Sequence, residues 1–235
     1  MSTLIFTTDY YHDYFTWLSV SDGIDSNKKK ELDRLQGQII KNKDPAFACF
    51  FAIDFGYKTS LMQNIILETK SDKYALLFAR EIAAADIKVL QEIVIKSNNI
   101  KYICSFGCSV KGADHKRIEN IIIKSGSPMY AHMYMKNTKS ANTAKLKKII
   151  MASNKPRYLY ELAKISKSKN EILKLEDLIL GAKCFTYIRL FADKVKYANV
   201  ERIEQFVLDN FSPDQIRQFA RYVKGSKMKK FLLVD

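Results

Sequence analysis

Histidine is scarce in this chain, with three in 235 residues. His12, His115 and His132 stand far apart and no HExxH segment occurs, so neither a His-based zinc site nor a nucleophile–base pair is expected. Glycine is scarce as well, at eight residues, and none belongs to a glycine-rich phosphate loop or a Gly-x-Ser-x-Gly elbow. The four cysteines, Cys49, Cys104, Cys108 and Cys184, include no CxxC pair, which argues against a disulfide framework and a structural metal. Cys104 and Cys108 fall on one helix face, at a spacing where a relaxed disulfide cannot close and small buried side chains fit. No segment approaches the roughly 18 apolar residues of a membrane span. Met1 to Phe6 carries no positive flank, and Asp9 and Asp13 interrupt the apolar stretch, so no secretory signal is expected. Together these absences predict an intracellular, non-enzymatic protein with no cofactor, no metal, no small-molecule ligand and no membrane partner.

Aromatic side chains are plentiful, with 14 Phe and 13 Tyr, and they recur on a fixed period. An aromatic or Leu followed by a small residue or Met appears at Phe51-Ala52, Phe78-Ala79, Phe106-Gly107, Tyr134-Met135, Leu162-Ala163, Phe191-Ala192 and Phe219-Ala220, at spacings of 27, 28, 28, 28, 29 and 28. Chance does not keep step over six intervals. An apolar anchor followed by an apolar pair keeps the same period, from Met62/Ile65-Ile66 through Leu90/Ile93-Val94 to Ile203/Phe206-Val207. A third series, Asp86, Asp114, Asn142, Asn170 and Asn199, stands eight residues after the aromatic or Leu of each repeat. These read as helix N-caps, because Asp and Asn side chains accept hydrogen bonds from the free N–H groups of a following first turn.

The four prolines set the boundary of the unit. Pro45, Pro128, Pro156 and Pro213 all lie six residues before the aromatic marker, in the first turn of a helix, where a missing N–H costs nothing. Asp44, Ser127 and Ser212 precede three of them as caps. Each unit therefore reads as cap, helix of about ten residues, a turn such as Val110-Lys111-Gly112-Ala113, cap, and a second helix of about ten residues. Such a unit cannot bury its own apolar face, and stacking on neighbours supplies the core. The predicted fold is an all-α solenoid of about seven two-helix repeats in a single domain, 1–235. It would comprise an irregular N-terminal cap over 1–43, regular repeats over 44–212 and a C-terminal cap over 213–235. The opener carries Trp17 and extra polar sequence from Ser19 to Lys30. The closer ends in Phe231-Leu232-Leu233-Val234, expected to cover the last face. No strand is expected. Tyr74, Tyr102, Tyr130, Tyr158 and Tyr187 form a second packed register with hydroxyls at the edge.

At Tyr74-Ala75-Leu76-Leu77-Phe78-Ala79, at Val110-Lys111-Gly112-Ala113-Asp114 and at Ile121 to Tyr130, the chain resembles a short helical repeat of large DNA viruses of amoebae and some bacteriophages. The pattern of that repeat is near Y-A-x-x-F-A-x-x-V-x-G-A-D-I-x-x-L-E-x-x-I-I-x-S-G-x-P. The resemblance covers residues 44–225, is clearest in 72–130 and decays over 131–183, where Met135, Ser140 and Lys169 replace the usual Ala, Gly and Ala. It implies a HEAT-like or TPR-like α-solenoid of viral origin and brings no catalytic residue with it.

Charge is the remaining signal. The net charge is +14, and between Lys111 and Lys169 fourteen Lys and Arg face only Asp114, Glu119 and Glu161. Lys111, Lys139, Lys167, Lys196 and Lys224 recur at 28, 28, 29 and 28, at the turn between the two helices of each unit. In a solenoid one repeat position maps to one edge, and stacked helices lie roughly 10 Å apart, an interval that can follow a phosphate backbone or an acidic helix. The competing reading is a lysine that complements the end of a helix dipole in a lysine-rich chain. Acidic pairs such as Glu81/Asp86 and Glu176/Asp177 read as cap neighbours and ordinary surface. The expected function is a non-catalytic macromolecule-binding scaffold with a protein partner or acidic surface; the alternative is nucleic acid, held by the five lysines and the basic stretch.

Overall fold

The structure is a computed structural model that describes residues 26–228. His12, Trp17 and the closing Phe231–Val234 lie outside the described residues. Within them are fourteen α-helices and no strand: α1 (Ser26–Asn42), α2 (Pro45–Phe55), α3 (Thr59–Thr69), α4 (Asp72–Glu81), α5 (Ile87–Lys96), α6 (Ile100–Ser109), α7 (His115–Ser125), α8 (Pro128–Asn137), α9 (Thr143–Ala152), α10 (Pro156–Ile165), α11 (Lys169–Gly181), α12 (Phe185–Lys194), α13 (Val200–Asn210) and α14 (Pro213–Tyr222). From α2 onward the even-numbered helices are the first, and the odd-numbered the second, of each repeat.

The helix starts follow from the caps. Asp44 accepts from the Ala46 and Phe47 N–H groups at 2.8 and 3.3 Å. Asp86, Asp114, Asn142 and Asn199 each accept from the N–H three residues on, at 3.3, 3.0, 3.2 and 3.2 Å. All four prolines begin a helix, and Ser212 closes a reciprocal capping box with Gln215. Ser127 occupies its N-cap position but makes no side-chain cap bond. Asn170 is a correction: α11 starts at Lys169 with Ser168 as its cap, accepting from the Glu171 N–H at 3.3 Å. A serine two residues upstream outcompetes it, and nothing in Lys169-Asn170 breaks the helix, so α11 runs 13 residues. Asn142→Ala should therefore cost about 1 kcal/mol in urea unfolding, whereas Asn170→Ala should stay within about 0.5 kcal/mol; equal losses would restore Asn170 as a cap.

Second helices end in another series. Lys43, Lys70, Asn98, Asn154 and Lys183 adopt φ of 50 to 55°, and Gly126 takes φ 62°, the left-handed conformation that ends a helix and turns the chain. The positions keep the repeat period; Gly126 is the residue that conformation favours most and Asn98 and Asn154 the next, whereas the three lysines carry no such preference.

The chain divides into two compact units, one through Ile121 and one from Ile122, with the division inside α7. In the first unit α1 packs on α2, and from there each helix packs on the next in sequence as far as α6. First helices also stack on first helices, α2 on α4 and α4 on α6, and second on second, α3 on α5. In the second unit the same chain of neighbours runs from α8 to α14, with α8 on α10, α10 on α12 and α12 on α14. Each is a stretch of α-solenoid. The seven marker residues, from Phe51 through Tyr134 to Phe219, are all 0% exposed, each contributing about 1.5–3 kcal/mol over the exposed state. Of the apolar pairs, the second member is buried, as Val94 and Val207 are, while the first is half-buried except at Ile65.

Candidate functional site

The lysine series sits on a repeated turn. The carbonyls of Val110, Thr138, Val195 and Val223 accept from the N–H three residues on, at 3.4, 3.2, 3.2 and 3.3 Å, and Lys111, Lys139, Lys196 and Lys224 are the second residue of each turn. The third is left-handed at Gly112 (φ 85°), Tyr197 (φ 70°) and Gly225 (φ 82°), as in a type II turn, which exposes the second side chain at the corner. Ile82 to Ala85 closes the same hydrogen bond at 3.1 Å, without a left-handed third residue and with Ala83 in the lysine position. Lys167 differs, because Ser168 caps α11 directly and no such turn forms. All five lysines are exposed, and none makes an ion pair among the described residues. Lys196 lies over the Tyr197 ring at 4.9 Å. The Lys224 backbone N–H donates to Asp193 at 3.3 Å. Lys111 belongs to the first unit and the other four to the second.

The second unit also concentrates the charge. Across residues 122–175 the only carboxylates are Glu161 and Glu171, and both are engaged. Glu161 pairs with Lys164 at 3.3 Å. Glu171 pairs with Lys147 at 2.7 Å and accepts from the Ser166 hydroxyl at 2.5 Å. Burial raises the Glu171 carboxyl, but the bonds from Lys147 and Ser166 outweigh it and hold it below the ordinary value. The other ten Lys and Arg of that stretch are exposed and make no ion pair among the described residues.

No known protein family, curated protein or solved structure matches the chain.

A set of residues missed by the repeat markers ties neighbouring repeats together within each unit. The side chains of Gln63, Gln91, Glu176 and Glu204 accept from the backbone N–H groups of Asp86, Asp114, Asn199 and Lys227 at 2.8, 2.8, 2.8 and 2.7 Å. Each stands directly after a buried anchor (Met62, Leu90, Leu175 or Ile203), and that period was there to be read. Glu176 is thus not ordinary surface. It is 0% exposed, and Arg202 joins its other oxygen at 3.4 Å. Burial pushes its carboxyl above the ordinary value, against the Asn199 N–H and Arg202. Lys147 holds the equivalent place at the α9–α11 junction, so there the tie is the ion pair to Glu171. Acid–base pairs accompany these bonds on the second-helix face, Glu92 with Arg117 and Asp177 with Arg202.

His132 is half-buried, with its ring 6.3 Å from that of Tyr158, and burial lowers its pKa. Cys104 is buried and Cys108 half-buried. No group of three or more His, Cys, Asp or Glu able to hold a metal ion occurs among the described residues, and no helix there is long and apolar enough to cross a membrane. In the first unit, a groove of about 350 Å³ is walled by Leu67, Val89 and Ile93 and flanked by Lys70, Lys96 and Glu92.

Proposed function

We propose that the chain is a non-catalytic scaffold that binds another macromolecule through its repeated surface. The observation that carries this reading is the repeated turn, which presents an exposed lysine with no ion pair at the same place in four of the repeats. A protein partner comes first, by analogy with helical-repeat arrays generally. The groove between α3 and α5 supports it, because apolar walls with a charged rim suit a protein interface. Lys70 and Lys96 at that rim fit a partner segment that sets acidic side chains beside apolar ones. Kinship with the repeats of large DNA viruses, and with it a viral protein working inside a cell, is supported by the residue pattern of 72–130. Affinity capture on the tagged chain should retain one stoichiometric protein after nuclease treatment and lose it on Val89→Glu, with the helical circular-dichroism spectrum unchanged. Retention by that variant would exclude the groove.

A second reading, nucleic-acid binding, is favoured by the balance over 122–175, where ten cationic side chains are left after both carboxylates are engaged. Binding of that kind weakens steeply with salt as counterions are released.

A further inference from the structure

The second-helix face of the second unit departs from its neighbours at one interface. Between α11 and α13, Arg202 stands directly before the buried anchor Ile203 and pairs at 2.7 Å with Asp177, two residues after the anchor Leu175. The first unit repeats the register: Arg117, directly before Ile118, pairs with Glu92, two residues after Leu90. At the α9–α11 junction the same two positions hold Lys148, two residues after Leu146, and Lys174, directly before Leu175. By register, lysines occupy both positions where the equivalent interfaces pair an acid with an arginine, and like charges held near one another repel. Both are exposed. Lys145 is a third exposed cation, one turn before Lys148 on the same face of α9. The ion pair of Lys147 with Glu171 joins α9 to α11 beside them, and Asp177, one turn after Lys174, is engaged by Arg202.

We propose that Lys145, Lys148 and Lys174 form a contact site for the phosphates of a nucleic-acid backbone, which would lift the repulsion the fold builds in. This rests on the second reading above and locates it. An acidic protein fits the site less well. Protein interfaces are centred on buried aromatic or apolar anchors and are depleted in lysine, whereas a phosphate backbone is held by cations alone. The large apolar side chains exposed among the described residues are Ile40, Leu61, Val89, Met129, Ile165, Tyr197 and Tyr222, and none lies on α9 or α11.

The test copies the neighbouring interface. Lys148→Asp combined with Lys174→Arg reproduces the Asp177–Arg202 pair at the α9–α11 junction. Fluorescent DNA duplex and RNA strand of about 25 nucleotides, with polyglutamate as the protein-like polyanion, are titrated from about 50 to 200 mM salt. The full chain should bind at least one nucleic acid more tightly than polyglutamate. The paired variant should melt no lower, bind at least about tenfold more weakly at low salt, and show a salt slope shallower by about 2. Lys101→Asp, at an exposed lysine of α6 outside both the stretch and the turn series, should lose less than about threefold. If the paired variant melts lower, Lys148→Gln with Lys174→Gln takes its place, with the same loss expected. Undiminished binding by the substituted protein, or an equal loss on Lys101→Asp, overturns this site while nucleic-acid binding stands. No binding of either nucleic acid at low salt overturns the second reading and the site with it. Polyglutamate bound as tightly as nucleic acid assigns the surface to an acidic protein instead.

Discussion

Phe106→Ala should destabilise the chain by about 3–5 kcal/mol, the range for emptying a fully buried aromatic site. Phe106 is 0% exposed, and so are its counterparts Phe78 and Phe191. Its carbonyl also accepts the Val110 N–H at 2.9 Å, the bond that closes α6. In a stack where each repeat touches only its neighbours, a hole at this position weakens both flanking contacts and nothing distant can compensate. For a chain of this length the loss corresponds to a fall in Tm of about 6–20 °C. Tyr102, four residues earlier on the same helix, is half-buried. Tyr102→Ala should cost distinctly less, and a thermal melt in which the two variants behave alike would remove the marker position from the core.

Glu176 gives the second large effect, and one with a sign that depends on pH. Glu176→Leu leaves the Asn199 N–H and Arg202 without their buried acceptor and should cost about 1–3 kcal/mol. Glu176→Gln keeps an acceptor where Gln63 and Gln91 already serve the same purpose, and should leave stability near neutral pH unchanged or improved. Burial raises the carboxyl above the ordinary 4.5. A raised folded value favours the protonated form, so its stabilising contribution is complete below about 4.5 and is lost as pH rises through the folded value. The stability of the natural chain relative to Glu176→Gln should therefore increase as pH falls through that window. Parallel pH–stability curves for the two proteins would show that burial of the charge has no effect.

The period of the repeat, the proline-started first helices and four of the five second-helix caps are legible because each depends on a residue type acting on its own backbone. Phe51 through Phe219 are legible as core for the same reason: size and period suffice. Asn170 misleads, because Ser168 and Asn170 are both able to cap, and choosing between them takes the surroundings of Glu171, which Lys147 reaches from the preceding repeat. Glu176 is opaque for a related reason. Its partner is a backbone N–H in the next repeat, which has no side-chain signature, so a charged residue beside Asp177 looks like surface. The left-handed ends at Lys43, Lys70 and Lys183 are hidden because lysine does not announce a positive φ. The turn lysines are visible as a series, whereas the Lys148 and Lys174 positions acquire meaning only once the Glu92–Arg117 and Asp177–Arg202 pairs show what stands there elsewhere.

That exposed lysines on the repeated turn carry the binding function is tested most directly by repeating the affinity capture with Lys139, Lys167, Lys196 and Lys224 all changed to Glu. Lys139, Lys196 and Lys224 project from the repeated turn and Lys167 from the loop before α11, all are exposed and none makes an ion pair among the described residues, so the helical spectrum should persist and the melting temperature should move by only a few degrees, as surface substitutions do. The partner captured by the natural chain should be lost. A variant that folds and still retains that partner at full stoichiometry would contradict the claim.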